Sequence, residues 1–287
     1  MKITKAVIPA AGFGTRILPS TKSIPKEMFP VVDKPAIHYI VEEAVKSGIT
    51  DILIITNRGK EAIEDYFDVS PELENLLFKT GKEKILKEIS EISKMANIYF
   101  VRQKETKGLG HAISCAKSFV GKEPFAVLSG DDIIRSKTPV CAQLINAYEE
   151  FGKCVVAAHE MPKEEMHKYG SLKVENIKNN LFMCTDMVEK PNPEQVLSLY
   201  SILGRYILLP EIFEILEKTL PGAGGEIQLT DALKVISHKD GVIMVDFEGK
   251  RYDMGNKFGA MQASVEFALE HPEIKEDFKN YLKNIKL

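Results

Sequence analysis

Short apolar runs alternate with amphipathic stretches through the first half of the chain. The runs are rich in β-branched and aromatic residues and are bounded by turn residues, which predicts strands. They lie at residues 5–9, 51–56, 97–102, 125–129 and 153–158. Between the first two, residues 35–46 place apolar side chains on one face and are followed by Gly48, which predicts a helix. Because strands that alternate with helices form parallel sheets, the pattern predicts an α/β fold. The expected architecture is a Rossmann-like, mostly parallel sheet flanked by helices, with ligands at the carboxyl ends of its strands.

Three segments depart from this alternation. Residues 71–95 carry isoleucines at helical spacing and predict a helical insertion on the flank of the sheet. Residues 170–177 and 181–188 are strand-like runs joined by a polar turn, and they predict a β-ribbon over the active site. Residues 273–287 carry an apolar stripe and predict a C-terminal helix that caps the domain or forms a subunit contact. No repeat or linker divides the chain, so 1–287 is predicted to be a single domain. Further helices are predicted at 211–219, 229–238 and 258–269, and a further strand at 242–247.

Composition excludes several classes of protein. With 44% hydrophobic and 28% charged residues, the 287-residue chain is too apolar to be disordered. A net charge of −3 gives no reason to expect nucleic-acid or membrane binding, and no apolar run approaches the ~20 residues of a membrane span. The cysteines are spaced too widely for a CxxC metal or redox motif, and we expect buried thiols in a cytoplasmic protein. They are Cys115, Cys141, Cys154 and Cys184.

A glycine-rich turn directly follows the first predicted strand. Backbone N–H groups of residues 10–16 are available there to phosphate oxygens, although a tight turn without a ligand has the same pattern. The third glycine of a dinucleotide fingerprint is replaced by Ile17, and the P-loop sequence GK[ST] is absent. The turn contains Arg16, and Lys26 follows ten residues later in a segment punctuated by prolines. These two cations form a candidate clamp for an anion.

The segment that contains these cations resembles a known family. Residues 10–35 read AAGFGTRILPSTKSIPKEMFPVVDKP, which resembles the N-terminal signature of the bacterial UTP–glucose-1-phosphate uridylyltransferases, a family of sugar nucleotidyltransferases. The resemblance extends over residues 3–270. The chain departs from the family pattern locally, and no departure removes a charged catalytic group. The departures are at Gly130, Asp132, Met254 and Asn256. The remaining matching segments follow in family order at 101–103, 108–112, 130–132, 169–170, 189–191, 204–208, 225–232 and 252–255.

The resemblance implies a role for each charged residue of the motifs. Asp131 is the expected primary ligand of Mg²⁺ and Asp253 the second, because Mg²⁺ prefers carboxylate and phosphate oxygens. Lys190 is assigned to the sugar phosphate. Together with Arg16 and Lys26 it would supply the positive charge that catalysis requires.

The resemblance also implies where the substrates bind. The side-chain amide of Gln103 and the nearby backbone would read uracil, since an amide matches the alternating acceptor and donor edge of that base. Glu27 would assist there or would only hold Lys26. His111 is expected to be structural. The full set of predicted substrate-binding residues is Ala11, Gly12, Gly14, Thr15, Glu27, Gln103, Gly108, Gly170, Glu189 and Gly204.

The implied reaction converts UTP and glucose 1-phosphate into UDP-glucose and pyrophosphate. Its nucleophile is a phosphate oxygen that is already ionised, so positioning and electrostatics suffice. A homodimer or homotetramer is expected. Three alternatives stay open: a thymidylyl- or cytidylyltransferase of the same superfamily, a glycosyltransferase that uses a UDP-sugar, and a nucleotide-binding regulator without activity. Release of pyrophosphate from a given nucleotide and sugar phosphate separates them.

Overall fold

The structure, a computed structural model, describes residues 2–285. Strands and helices alternate along it, as the apolar pattern predicts. The strands are β1 (Lys5–Pro9), β2 (Pro30–Val31), β3 (Lys34–Pro35), β4 (Asp51–Thr56), β5 (Asn97–Arg102), β6 (Phe125–Leu128), β7 (Asp132–Arg135), β8 (Val155–Glu160), β9 (Gly170–Lys178), β10 (Leu181–Glu189), β11 (Tyr200–Leu208), β12 (Val242–Asp246) and β13 (Lys250–Asp253). The helices are α1 (Ala36–Lys46), α2 (Glu61–Phe67), α3 (Pro71–Lys79), α4 (Glu83–Ile92), α5 (Leu109–Ser114), α6 (Lys117–Val120), α7 (Val140–Phe151), α8 (Ile212–Leu216), α9 (Leu229–Lys239), α10 (Lys257–Ala268) and α11 (Lys275–Asn284).

A nine-stranded sheet forms the centre of the fold, in the order β5-β4-β1-β6-β11-β8-β12-β10-β9. Parallel pairs join β1 to β4 and β6, β4 to β5, and β8 to β12. Only β10 and β11 run against the other strands of this sheet. The predicted mostly parallel sheet with flanking helices is therefore confirmed.

The predicted β-ribbon corresponds to β9 and β10, and it is continuous with the main sheet. Residues 181–184 of β10 pair with β12, while β9 folds back far enough for Ser171 to pair with Ser201 of β11. A register shift between Cys184 and Asp186 interrupts the pairing of the two ribbon strands. Because such irregularities bend a strand, the ribbon curves toward the carboxyl ends of the central strands and brings Gly170 opposite Glu189 there.

Apolar side chains alternate between the two faces of the central strands. On β4, Ile52 and Ile54 point to a core that they share with α1 and α7, whereas Leu53 and Ile55 point to a core shared with α5, α8 and α9. This period of two residues explains why the strand reads as a continuous apolar run. Helices therefore cover both faces of the sheet, and the strand ends form the open edge.

The peripheral helices contrast with these cores. The segment predicted as an insertion forms the hairpin of α3 and α4, and α4 contains no buried residue. No residue of α11 is buried either. On its apolar stripe Phe278 and Leu282 are half-buried, and Ile285 is 39% exposed. The stripe is therefore only partly covered by its own chain. The last two residues of the predicted C-terminal segment, 286 and 287, lie outside the described residues.

Candidate active site

A cavity of about 620 Å³ lies at the carboxyl edge of the central strands. It contains many of the charged residues that the sequence singles out, from segments that are distant along the chain. Predicted site residues that line it are Arg16, Lys26, Asp131, Gly170, Glu189, Lys190, Gly204 and Asp253. Further lining residues include Ser129, Asp132, Lys168, Tyr169, Tyr206, Glu226, Thr230 and Arg251.

Two ion pairs cross the part of the cavity next to the glycine-rich turn. Lys26 lies on a single 3-10 turn that follows Pro25, and its Nζ is 2.5 Å from Oδ2 of Asp131. Arg16 lies on a similar turn, and its Nη1 is 3.3 Å from Oδ2 of Asp253. The two predicted cations and the two predicted metal carboxylates thus lie together.

Both members of the Lys26–Asp131 pair carry their charge at neutral pH. Burial opposes the charge of Asp131, but Lys26, Arg251 and Arg16 hold the pKa of this carboxyl below its ordinary value. Burial likewise opposes the charge of Lys26, but Asp131 and Glu27 outweigh it and raise the pKa of the lysine. The site therefore contains fixed charges of both signs, as a polyanionic substrate and its counter-ion require.

The carboxylates of Asp131 and Asp253 are the kind of oxygen donor that suits a hard divalent cation. A Cβ atom at Gly255 would lie 2.8 Å from Oδ2 of Asp131, 2.7 Å from Oδ1 of Asp253 and closer still to Nη2 of Arg16, so glycine lets these three side chains meet at one point. Within residues 2–285, no group of three or more His, Cys, Asp or Glu side chains is arranged to hold a metal ion. The protein offers two carboxylates, and phosphate oxygens and water would complete the coordination, as is usual for Mg²⁺.

The pairing of β7 with β13 explains how the two carboxylates meet. Asp253 lies opposite Asp132, and the backbone N–H of Met254 donates to the carbonyl of Asp131 over 2.8 Å. Arg251, which sequence reasoning missed, places Nη2 2.7 Å from Oδ1 of the buried Asp132. Since side chains two residues apart share a face of a strand, the spacing of Arg251 and Asp253 was the available signal.

A buried ion pair between Arg205 and Glu43 supports the segment that contains Asp131 and Asp132. Arg205 donates to both carboxylate oxygens of Glu43, over 3.0 and 2.7 Å, and to the carbonyl of Asp132 over 2.8 Å. Gly204 has a φ of 59°, and a Cβ there would crowd Oγ of Ser129 at 3.1 Å. Glycine therefore lets β11 pass close beside the acidic turn. No local pattern in the sequence pointed to Glu43.

The opposite side of the cavity is built by the β9–β10 ribbon. Oε2 of Glu189 accepts a hydrogen bond of 2.6 Å from Oγ1 of Thr230. Burial raises the pKa of Glu189, and the nearby acidic side chains add to the shift. Lys190 has a φ of 47° and is exposed at the cavity, with its backbone N–H bonded to the carbonyl of Tyr169. Among the residues that the structure describes, no ion pair involves Lys190.

The residues predicted to read the base do not line this cavity. Gln103 is buried at the end of β5, where its Nε2 donates to the carbonyl of Gly108 over 3.1 Å and lies 2.9 Å from Nδ1 of His111. Asn57 donates to the carbonyl of Ala11 at the end of β1. Predicted substrate residues outside the cavity lining are Ala11, Gly12, Gly14, Thr15, Glu27, Gln103 and Gly108.

The side chain of Glu27 does not line the cavity. Its side chain is fully buried, and both carboxylate oxygens lie 2.8 Å from Nζ of Lys60. Because the carboxylate faces inward to this lysine, we replace the predicted contact with substrate by a supporting role beneath the glycine-rich turn. Sequence reasoning did not identify Lys60, whose partner is 33 residues away.

The chain is similar to known proteins both in sequence and in structure. The family model for nucleotidyl transferases matches residues 5–268. The chain is 50% identical over 284 residues to a UTP–glucose-1-phosphate uridylyltransferase of Staphylococcus epidermidis, covering 99% of each chain. It resembles the UTP-bound UGPase of Acinetobacter baumannii with a TM-score of 0.92 and 38% identity, covering 99% of this chain and 100% of the other. It also resembles a UDP-glucose pyrophosphorylase complexed with UDP-glucose, with a TM-score of 0.86 and 44% identity, covering 94% and 100% of the two chains.

The matched segment contains the glycine-rich turn, the two carboxylates predicted to bind a metal, and the β9–β10 ribbon. The chain belongs to the nucleotidyl transferase family and, within it, to the UTP–glucose-1-phosphate uridylyltransferases. Membership of this family suggests a requirement for a divalent metal ion.

Proposed function

We propose that this chain transfers a uridylyl group from UTP to glucose 1-phosphate and releases UDP-glucose and pyrophosphate. The observation that carries the proposal is the two-sided cavity. One side contains two carboxylates that fit a metal, each paired with a cation, and the other contains Lys190, which has no ionic partner within residues 2–285. Two polyanions can therefore bind side by side. The names of the most similar relatives agree with this reaction.

The chemistry needs no general base. An ionised phosphate oxygen of glucose 1-phosphate attacks the α-phosphorus of UTP, a new P–O bond forms, and the bond to the departing pyrophosphate breaks. Arg16 and Lys26 orient the triphosphate and balance its growing charge, while Lys190 holds the sugar phosphate in line. Mg²⁺, held by Asp131 and Asp253, would neutralise charge on the phosphate oxygens.

The remaining contacts are proposed from the family motifs and their place at the strand ends. Backbone N–H groups of residues 12–15 would bind phosphate oxygens, and Gln103 with the backbone near Ala11 and Gly108 would read uracil. Glu189 would accept hydrogen bonds from sugar hydroxyls. It lines the cavity beside Gly170, so a hydroxyl donor can reach it.

Pyrophosphate release tests the reaction directly. The purified protein is given each nucleoside triphosphate with each of several sugar 1-phosphates and Mg²⁺. We expect the highest kcat/KM for UTP with glucose 1-phosphate, and no release when Mg²⁺ is chelated. A preference for dTTP or CTP would favour the sister transferases. Sugar transfer from UDP-glucose without pyrophosphate would indicate a glycosyltransferase, and binding without turnover would indicate a regulator.

We also propose that the α11 stripe contacts a second copy of the chain in a homodimer or homotetramer. The stripe is apolar and incompletely covered, as exposed contact faces are. The double variant Phe278→Glu and Leu282→Glu should have a smaller mass in light scattering while it stays folded. An unchanged mass with a lowered Tm would place the stripe against its own subunit.

The compartment is a further proposal. No helix within residues 2–285 is long and apolar enough to cross a membrane. The four cysteines are free, and burial raises the pKa of Cys141, Cys154 and Cys184 to about 12. Unpaired, unreactive thiols fit a reducing compartment, and we propose the cytoplasm. Fractionation of the source cells, with the protein detected by antibody, tests this.

A further inference from the structure

Lys60 is a buried lysine whose ammonium group makes only internal contacts. It lies in the loop after β4 and is 5% exposed. Its Nζ lies 2.8 Å from each carboxylate oxygen of Glu27 and also donates to the carbonyl of Ala10. It does not line the cavity. A buried charge of this kind needs a reason, because removing an ammonium group from water is costly.

The partner of Lys60 is the immediate neighbour of a cation in the active site. Glu27 follows Lys26 on the same 3-10 turn, yet the two adjacent side chains point to different partners. Glu27 binds Lys60, whereas Lys26 binds Asp131 at the cavity. Within residues 2–285 the structure contains no ion pair between Glu27 and Lys26. The four side chains therefore form a row of alternating charge that ends at the proposed metal site.

This arrangement predicts what would happen without Lys60. Burial raises the pKa of Glu27, and Lys60 and Lys26 are the two cations that oppose this shift. Without Lys60, the buried Glu27 carboxylate would keep only Lys26 of these two cations. The two side chains attract each other in the wild type as well, since the charge of Glu27 contributes to the raised pKa of Lys26. The flexible stem of lysine allows its ammonium group to turn toward the unpaired charge. Such a turn would remove positive charge from the cavity.

We propose that Lys60 is a positioning residue that occupies Glu27 and thereby keeps the ammonium group of Lys26 at the active site. This inference rests on the proposed function, because it is the nucleotidyl transfer that requires Lys26 at the cavity. It differs from a role in stability alone, since the harm caused by losing Lys60 would come from the charge left on Glu27.

Four variants separate these roles: Lys60→Met, Glu27→Gln, the double variant of both, and Lys46→Met as an exposed control. We expect Lys60→Met to lower kcat at least roughly tenfold, less than the ~100-fold typical of deleting a preorganised donor. The double variant should return to within about fivefold of the wild type, because an uncharged residue 27 no longer attracts Lys26. The Lys46 control should be unchanged. Circular dichroism at the assay temperature verifies that each variant is folded.

The double variant can still overturn the proposal if Lys60→Met does not fold. A folded double variant at least tenfold slower than the wild type would overturn the proposal, as would a folded Lys60→Met variant with normal kcat. If the wild type releases no pyrophosphate, the proposed function is wrong and not this inference. The affinity of the same variants for UTP in the presence of Mg²⁺ is then compared by calorimetry. We expect weaker binding in Lys60→Met and recovered binding in the double variant. An equal loss of UTP affinity in Lys60→Met and in the double variant would contradict the proposal.

Discussion

The two sides of the cavity differ in how their cations are held. Beside the glycine-rich turn, Lys26 and Arg16 are each paired with a carboxylate, and Lys60 is paired behind them. On the ribbon side, Lys190 is exposed to the cavity and has no ionic partner in the described part of the chain, and its neighbour Glu189 accepts a hydrogen bond from the hydroxyl group of Thr230. One side is fixed before substrate arrives, and the other offers a free positive charge.

The difference indicates a division of labour. A triphosphate and a metal ion bring strong charges of both signs, and preformed ion pairs can exchange partners with them without collapse of the site. A sugar phosphate brings one anionic group and several hydroxyl groups, for which a free lysine and a hydrogen-bonding carboxylate are suited. Variants on the two sides should therefore affect different steps.

The largest expected effect is on the fixed side. Asp131→Asn keeps the shape of the side chain but removes the charge that pairs with Lys26 and that we propose binds the metal. We expect kcat to fall several hundredfold, on the order of 4 kcal/mol of transition-state stabilisation. The fold should persist, as measured by circular dichroism. Near-normal turnover at saturating substrates would remove Asp131 from the site.

Lys190→Met tests the opposite side. Loss of a hydrogen bond to a charged group costs about 1.5–3 kcal/mol, so the KM for glucose 1-phosphate should rise about 10- to 100-fold. The KM for UTP should change less. Lys168→Met is the matched control, because this second cavity lysine already lies 3.3 Å from Glu165. If both substitutions raise the KM for glucose 1-phosphate equally, Lys190 does not bind the sugar phosphate in the way we propose.

Gln103→Leu tests the reading of the base. The substitution preserves volume but removes the amide that uracil would contact, at a cost of ~1–3 kcal/mol in UTP affinity. In the structure the same amide donates a hydrogen bond to the carbonyl of Gly108. Competition among UTP, CTP and dTTP separates the two roles. If their relative kcat/KM values do not change, Gln103 supports the loop and does not read uracil.

The smallest effect concerns acid pH. Burial raises the pKa of Glu189 above its ordinary 4.5, so its acceptor capacity is lost at a higher pH than that of an exposed glutamate. The KM for glucose 1-phosphate should rise as the pH is lowered into the acid range, more in the wild type than in Glu189→Gln. The titration of the substrate phosphate is common to both proteins and cancels. Identical pH profiles would contradict the assignment.

The effect of Glu189 on the stability of the fold does not interfere with this pH test. A carboxyl group whose pKa is higher in the folded than in the unfolded protein binds its proton more readily when folded. Protonation of Glu189 therefore favours the folded state as the pH falls through this range. A rise in KM cannot be attributed to unfolding that originates at this residue.

The sequence was informative where structure depends on local pattern. Strands such as β4 could be predicted because both faces are buried and the whole run is apolar. Family motifs predicted that Asp131 and Asp253 belong to one site, and the structure brings them together across Gly255. The pairing of β10 with β12 was missed, since a strand that joins a sheet has the same local pattern as a strand of a free ribbon.

The supporting ion pairs could not be predicted. Arg205 and Glu43 are 162 residues apart, and both lie among apolar residues that predict only a strand and a helix. The direction of Glu27 depends on Lys60 in the same way. Such partners are set by tertiary packing, so a periodicity shows that a position is buried but not which charge it meets.

The most direct test of the two-sided site is a crystal structure of the protein with UDP-glucose and Mn²⁺, which replaces Mg²⁺ and gives an anomalous signal. We predict one strong anomalous peak in contact with carboxylate oxygens of Asp131 and Asp253, and Nζ of Lys190 within hydrogen-bond distance of the phosphate next to glucose. A peak elsewhere, or a glucose phosphate bound on the side of Lys26 and away from Lys190, would contradict the account.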